Sequence, residues 1–288
     1  MKEGAVKVKK LRKEPVWVTI LCTAALILMA LIMVFPLLLV LNVSLKTQTE
    51  FNQNPSGIFD WKPIGELFSN YSYAFERMNI FGRLLYTVAM TVGSALISCV
   101  VVTLVAYPLA RNHFKGSGKV FGFILISMFF PGSLVANIFL VQNLGLYNNP
   151  VVLIIFWGFG GLTVYIFMTM QFISELPKDL DEAAFIDGCG YFRYIFQFVI
   201  RLSLPILSTV FILKLVGAWN DFLTPYIYLI EDRFMTISTG LFAFRGQFSS
   251  NWPGLAAATF SVALPVIILY VFLQRYIIEG MAAGALKG

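Results

Sequence analysis

Apolar residues are laid along the chain in six long runs, at residues 16–41, 80–110, 120–141, 150–173, 204–230 and 254–278. Each is about 20 residues or longer, the length a bilayer demands of a helix. Polar stretches separate them. They are a basic tail at 1–15, a long loop at 42–79 broken by Pro55 and Pro63, loops at 111–119 and 142–149, a charged segment at 174–203, a loop at 231–253 and a tail at 279–288. The pattern predicts an all-α polytopic membrane protein of six transmembrane helices. It places a kink or tilt near Pro36, Pro131-Gly132 near the middle of the third span, and short surface helices in the 42–79 loop.

Composition agrees and charge orients the chain. At 58% hydrophobic, 12% charged and a mean hydropathy of +0.79, the chain is too apolar and too poor in charge to be a soluble domain. The net charge of +6 does not point to nucleic acid, because Lys2, Lys7, Lys9, Lys10, Arg12 and Lys13 stand together just before the first apolar run. That run is too long for a signal peptide and no small-residue cleavage site closes it. Counted on alternate sides, Lys and Arg number 14 with the termini, Arg275 at the end of the last run included, and 6 on the opposite side, Arg83 at the start of the second run included. The positive-inside rule then places both termini, and the 174–203 segment, in the cytoplasm.

The 174–203 segment is where charge concentrates. Glu175, Asp179, Asp181, Glu182 and Asp187 stand between two apolar runs, so the segment lies outside the bilayer. Pro177 can open a helix, the carboxylates suit its first turns, and Gly188 with Gly190 permits a turn. A short helix, a turn and a second helix are expected. The rest of the polar inventory argues against catalysis. Cys22, Cys99 and Cys189 form no metal or disulfide spacing, His113 has no catalytic companions, and no metal site is expected. Gly116-Ser117-Gly118-Lys119 imitates the end of a phosphate-binding loop. However, His113 stands where the first glycine is needed and Val120 where Ser or Thr is needed, so ATP hydrolysis is not expected of this chain.

Span five carries the other polar cluster. Lys214 and Asp221 lie seven residues apart, two turns along one helical face. A charge near the bilayer centre costs on the order of 3 kcal/mol, so such residues face a bundle interior or a wet cavity. Gly217 allows close helix approach, and Trp219, Asn220 and Asp221 follow. An amide and a carboxylate beside an indole suit a sugar, whose hydroxyls need polar partners and whose ring faces stack on aromatics. The same residues suit a structural helix break, and both readings stand. Lys214, Trp219, Asn220 and Asp221 are the candidates for lining a substrate path.

Three motifs together resemble the permease subunits of ATP-binding-cassette importers. Glu182-Ala183-Ala184 with Gly188 resembles their EAA loop. Trp219 to Pro225 resembles the WNDFLxP signature of the carbohydrate branch. The stretch from Leu264-Pro265 through Gln274-Arg275-Tyr276 and Gly280 to the terminal Gly284-Ala285-Leu286-Lys287-Gly288 is similar to the end of the maltose-type second permease. The resemblance runs from span two to the last residue. It departs at Arg201, where the family commonly has proline, with Pro205 following.

The resemblance implies a type I importer permease fold, a second homologous permease subunit and alternating access. It also implies two ATPase subunits holding ATP and Mg, an extracytoplasmic solute-binding protein and a bacterial or archaeal cytoplasmic membrane. Asp181, Glu182, Ala183, Ala184, Asp187 and Gly188 would dock on an ATPase, and for Glu182 docking is favoured over a merely solvated acidic face. Phe244, Arg245, Phe248 and Trp252 would reach the binding protein, and the 280–288 tail would approach the ATPases. The chain itself would carry no cofactor. The rival reading is an ion-coupled secondary transporter that uses Lys214 and Asp221 as a relay, but the sequence shows no internal repeat to support it.

Overall fold

The computed structural model describes residues 15–60, 62–130, 132–244 and 251–285. Among these residues the protein is helical and without strands. Helix α1 (Val16–Ser44) contains Pro36 without interruption and exposes apolar side chains over almost its whole length. A helix apolar on every side is not solvated by water. Its main partner inside the chain is the last helix, α16 (Trp252–Ala285).

The loop after α1 is folded. Lys46, 2% exposed, donates to the carbonyls of Asn54 and Pro55. Asn42 bonds the backbone at Gly57 and Phe59, and Asn70 bonds the carbonyls of Ser44 and Lys46. These ties organise three short helices, α2 (Gln48–Gln53), α3 (Ile64–Leu67) and α4 (Ser69–Met78). Thr47 and Glu50 form a reciprocal capping box on α2.

Helix α5 (Ile80–Ala110) is the hub and matches the predicted second span. It packs against α9 (Thr163–Glu175), α13 (Leu204–Asn220) and the π-turn Ile154–Phe159 that precedes α9. Thr87, Thr91, Ser94, Ser98 and Thr103 are buried on it, and small side chains of this kind let helix backbones approach closely. Four of these hydroxyls, those of Thr87, Thr91, Ser98 and Thr103, return a hydrogen bond to the carbonyl four residues back, so they are buried without being orphaned.

The other expected spans are bent. Ser117–Phe129, made of α6 (Ser117–Ile126) and a 3-10 turn, meets α7 (Leu134–Asn143) at 111°. Phe130 is extended there, the conformation favoured for a residue before a proline. The π-turn Ile154–Phe159 follows α8 (Val151–Leu153), and together they meet α9 at 50°. Helix α10 (Asp179–Ile186) is the first helix of the charged loop. The chain from α11 (Tyr191–Tyr194) through a π-turn to α12 (Ile200–Leu202) meets α13 at 82°, with Pro205 in the first turn of α13. Among the described residues three helices are long and apolar enough to cross a membrane, or up to six segments if each bent pair is one span. The fifth apolar run is not one helix. It breaks after Asn220 and resumes as α14 (Leu223–Tyr228), ahead of the short α15 (Ile237–Gly240).

Candidate functional site

Two places gather chemistry, and α5 supports both. The first lies where the bend before α9 meets the end of α13. Gly158, Gly160 and Gly161 make that bend, with Gly161 at φ +62°. Breaking a helix inside a membrane frees carbonyls that need donors. Ser98 Oγ donates to the Gly158 carbonyl at 2.8 Å and Lys214 Nζ to the Gly160 carbonyl at 2.8 Å. Trp157 Nε1 donates to Asp221 Oδ2 at 2.7 Å, and Asp221 Oδ1 accepts from the Thr224 amide at 3.0 Å. Asp221 therefore ends α13, caps α14 and anchors both to the neighbouring bend.

Lys214 and Asp221 thus each have a partner on the α8–α9 segment, and no ion pair joins them among the described residues. The carboxylate is occupied on both oxygens as a helix break requires. Asn220 is exposed, with its amide donating to the Val216 carbonyl. Trp219 is buried in an apolar cluster with Met78, Ile237, Phe244 and Ala257. Of the four expected path residues, Asn220 is the one presented on the surface of the isolated chain. Trp157 and Gly160, which sequence reasoning missed, complete the cluster. The glycine-rich stretch 158–161 was the signal for them.

The residues expected to meet a binding protein divide. Phe244 is 4% exposed and packs edge-on to Tyr73, because the 231–244 segment is pinned onto α5. Arg83 Nη2 meets Asp232 at 2.6 Å, and Thr87 accepts the Ile237 amide at 2.9 Å. Phe244 is thus buried within the chain and not presented on its surface. Trp252 is half exposed and stacks on Phe51. Arg245 and Phe248 lie outside the described residues.

The second place is the charged loop, which has the expected helix, turn and helix. Gly188, at φ +74°, makes the turn, a conformation that costs an L-residue about 1–2 kcal/mol. Gly190 is extended and opens α11. Glu182, Ala183, Asp187 and Gly188 are exposed, as are Phe185 and Ile186, the last at 85%. Asp181 and Ala184 instead face inward, so these two of the six expected docking residues are turned from the surface. An ionised carboxylate is buried only where partners compensate it. Here Arg111 Nε lies 2.6 Å from Asp181 Oδ2, and the Tyr194 hydroxyl donates to Asp181 Oδ1.

Broken apolar helices beside a charged, exposed helix mark a helical membrane protein. The fold matches a chain in the crystal structure of a bacterial ABC transporter involved in the import of the acidic polysaccharide alginate. The TM-score is 0.79 at 19% identity, covering 93% of this chain and 99% of that one. Residues 102–282 match the family described as the binding-protein-dependent transport system inner membrane component. Over 256 residues the chain is 32% identical to the melibiose/raffinose/stachyose import permease protein MelC of Bacillus subtilis, covering 88% of this chain and 91% of that protein. Over 281 residues it is 30% identical to the trehalose/maltose transport system permease protein MalG of Thermococcus litoralis, covering 96% and 99%. The chain belongs to this family of binding-protein-dependent permeases, which are transport components of the cell membrane and not enzymes.

Proposed function

We propose that this chain forms half of the translocation pathway of an importer for a di- or oligosaccharide. The names of MelC and MalG support that substrate class. In this reading six spans cross a bacterial or archaeal cytoplasmic membrane with both termini inside. They are α1, α5, α16 and the three bent pairs. A second homologous permease completes the path, two ATPase subunits carry ATP and Mg, and an extracytoplasmic binding protein delivers the sugar. Asn220 and the edge of the α13 break lie on the sugar's route, and Trp252 lies on the side facing the binding protein.

The observation that carries the reading is the outward face of α10. Glu182, Ala183, Phe185 and Ile186 offer a carboxylate beside exposed apolar surface on a short helix held firmly from behind. Exposed apolar patches of this kind mark protein-binding sites. The test is co-purification from the native membrane with and without Glu182→Lys, followed by uptake in liposomes. An ATPase and a second permease should come with the wild-type chain, and the ATPase should be lost from the variant. A wild-type chain that emerges alone and moves solute without ATP overturns the reading.

A further inference from the structure

The inner end of α5 holds the charged loop at three points. Arg111, the residue that closes α5, has a side chain only 4% exposed. Its Nη1 donates to the Leu176 carbonyl at 3.0 Å, and its Nε lies 2.6 Å from the Asp181 carboxylate. Leu176 ends α9 and Asp181 stands in the first turn of α10, so one guanidinium grips both sides of Pro177. The other oxygen of Asp181 takes the hydroxyl proton of Tyr194, which belongs to α11. Tyr107, on the last turn of α5, packs its ring 5.8 Å from that of Tyr194. Four helices therefore meet on one buried carboxylate and one buried guanidinium.

We propose that Arg111, Asp181 and Tyr194 form a positioning staple that converts displacement of α10 into movement of α5 and α9. This rests on the reading of α10 as the ATPase-docking helix. A loop joined to its neighbours only through the chain would swivel about Pro177 and Gly188 when pushed, and the push would be lost. Nη1 holds the Leu176 carbonyl by a directed hydrogen bond while the guanidinium charge lies against the Asp181 carboxylate, so one side chain makes both contacts, which a single ammonium at the end of a lysine does not reproduce. The staple is buried beneath α10 while the docking face is outside it. Docking and transmission are therefore assigned to different residues of one helix.

The test uses the complete transporter, with its partner permease, ATPases and binding protein, in proteoliposomes. Three quantities are read: ATPase subunit retained, ATP hydrolysed, and sugar moved per ATP. In Asp181→Asn and Tyr194→Phe the ATPase should stay bound and hydrolysis continue, while sugar moved per ATP falls on the order of tenfold for Asp181→Asn and less for Tyr194→Phe. Arg111→Lys keeps the charge but cannot hold the Leu176 carbonyl and lie against Asp181 together, and should also be uncoupled. It reads the proposal even if Asp181→Asn fails to assemble, and if none of the three variants assembles the staple is structural only and the proposal is overturned. Sugar moved per ATP unchanged in all three overturns it as well. So does loss of the ATPase from Asp181→Asn at the level of Glu182→Lys, which would make Asp181 a docking residue. A wild-type complex without any bound ATPase would instead defeat the underlying importer reading.

Discussion

The indole of Trp157 donates to the carboxylate of Asp221 across 2.7 Å, joining the bend of one apolar segment to the break in another. Both interruptions leave backbone groups unpaired, and each segment supplies what the other lacks. Lys214 of α13 satisfies a carbonyl of the bend, while Trp157 of the bend satisfies the carboxylate that ends α13. Replacing Trp157 with Phe keeps an aromatic ring but leaves a carboxylate oxygen without its donor. The expected cost is about 1–3 kcal/mol. Thermal unfolding of the detergent-solubilised chain should show a lowered midpoint for Trp157→Phe. An equal midpoint in variant and wild type would mean that water replaces the indole freely.

Lys214 bears on how transport is powered. Its ammonium donates to the Gly160 carbonyl and lies 5.7 Å from the centre of the Tyr165 ring, a structural role that does not involve Asp221. Lys214→Met should therefore lower stability by about 1.5–3 kcal/mol, the net worth of a hydrogen bond with a charged partner. Uptake in liposomes should remain ATP-dependent and indifferent to a proton ionophore, in the variant as in the wild type. Uptake that follows an imposed proton gradient, and loses that response in Lys214→Met, would revive the relay.

The outer face of α10 gives a cleaner separation of folding from binding. Ile186 is 85% exposed, so Ile186→Ser should change the chain's own stability by no more than about 0.5 kcal/mol. An apolar anchor at the centre of an interface typically costs more than about 1 kcal/mol when truncated, so the ATPase should bind roughly 5- to 10-fold more weakly. Titration of purified ATPase against the immobilised permease measures this. Equal affinity would place the interface elsewhere.

Much of the architecture was legible because its causes are local. Residues 80–110 read as a span from hydropathy alone, and α5 has those bounds. The helix, turn and helix at 174–203 followed from Pro177, the carboxylates and Gly188. What stayed hidden depends on residues far apart in the chain. Asp181 and Glu182 are adjacent carboxylates with identical local signals, yet one is buried and one exposed, because Arg111 lies 70 positions earlier. Phe244 read as a loop aromatic free to reach out, and tertiary pairing of its segment with Arg83 and Thr87 buried it. The Gly158–Gly161 bend carried a readable signal in its glycines, overlooked because hydropathy continues smoothly through it.

Glu50 ties the loop after α1 to pH. Lys62 and the Thr47 amide both donate to its carboxylate, and these bonds hold it down from 4.5 to about 2. A carboxyl held below its unfolded value stabilises the folded loop fully above the unfolded value, and that contribution is lost as pH falls toward the folded one. The capping box of α2 should therefore loosen as pH drops from about 4.5 to about 2, while remaining intact at neutral pH. Amide exchange at residues 48–54, corrected for intrinsic rates, should lose protection over that interval. Glu50→Gln keeps the shape and one acceptor but has no proton to gain, so its protection should be lower at neutral pH and flat across the same interval. Protection in the wild type that does not change with acid would show that the Lys62 contact adds nothing to the loop.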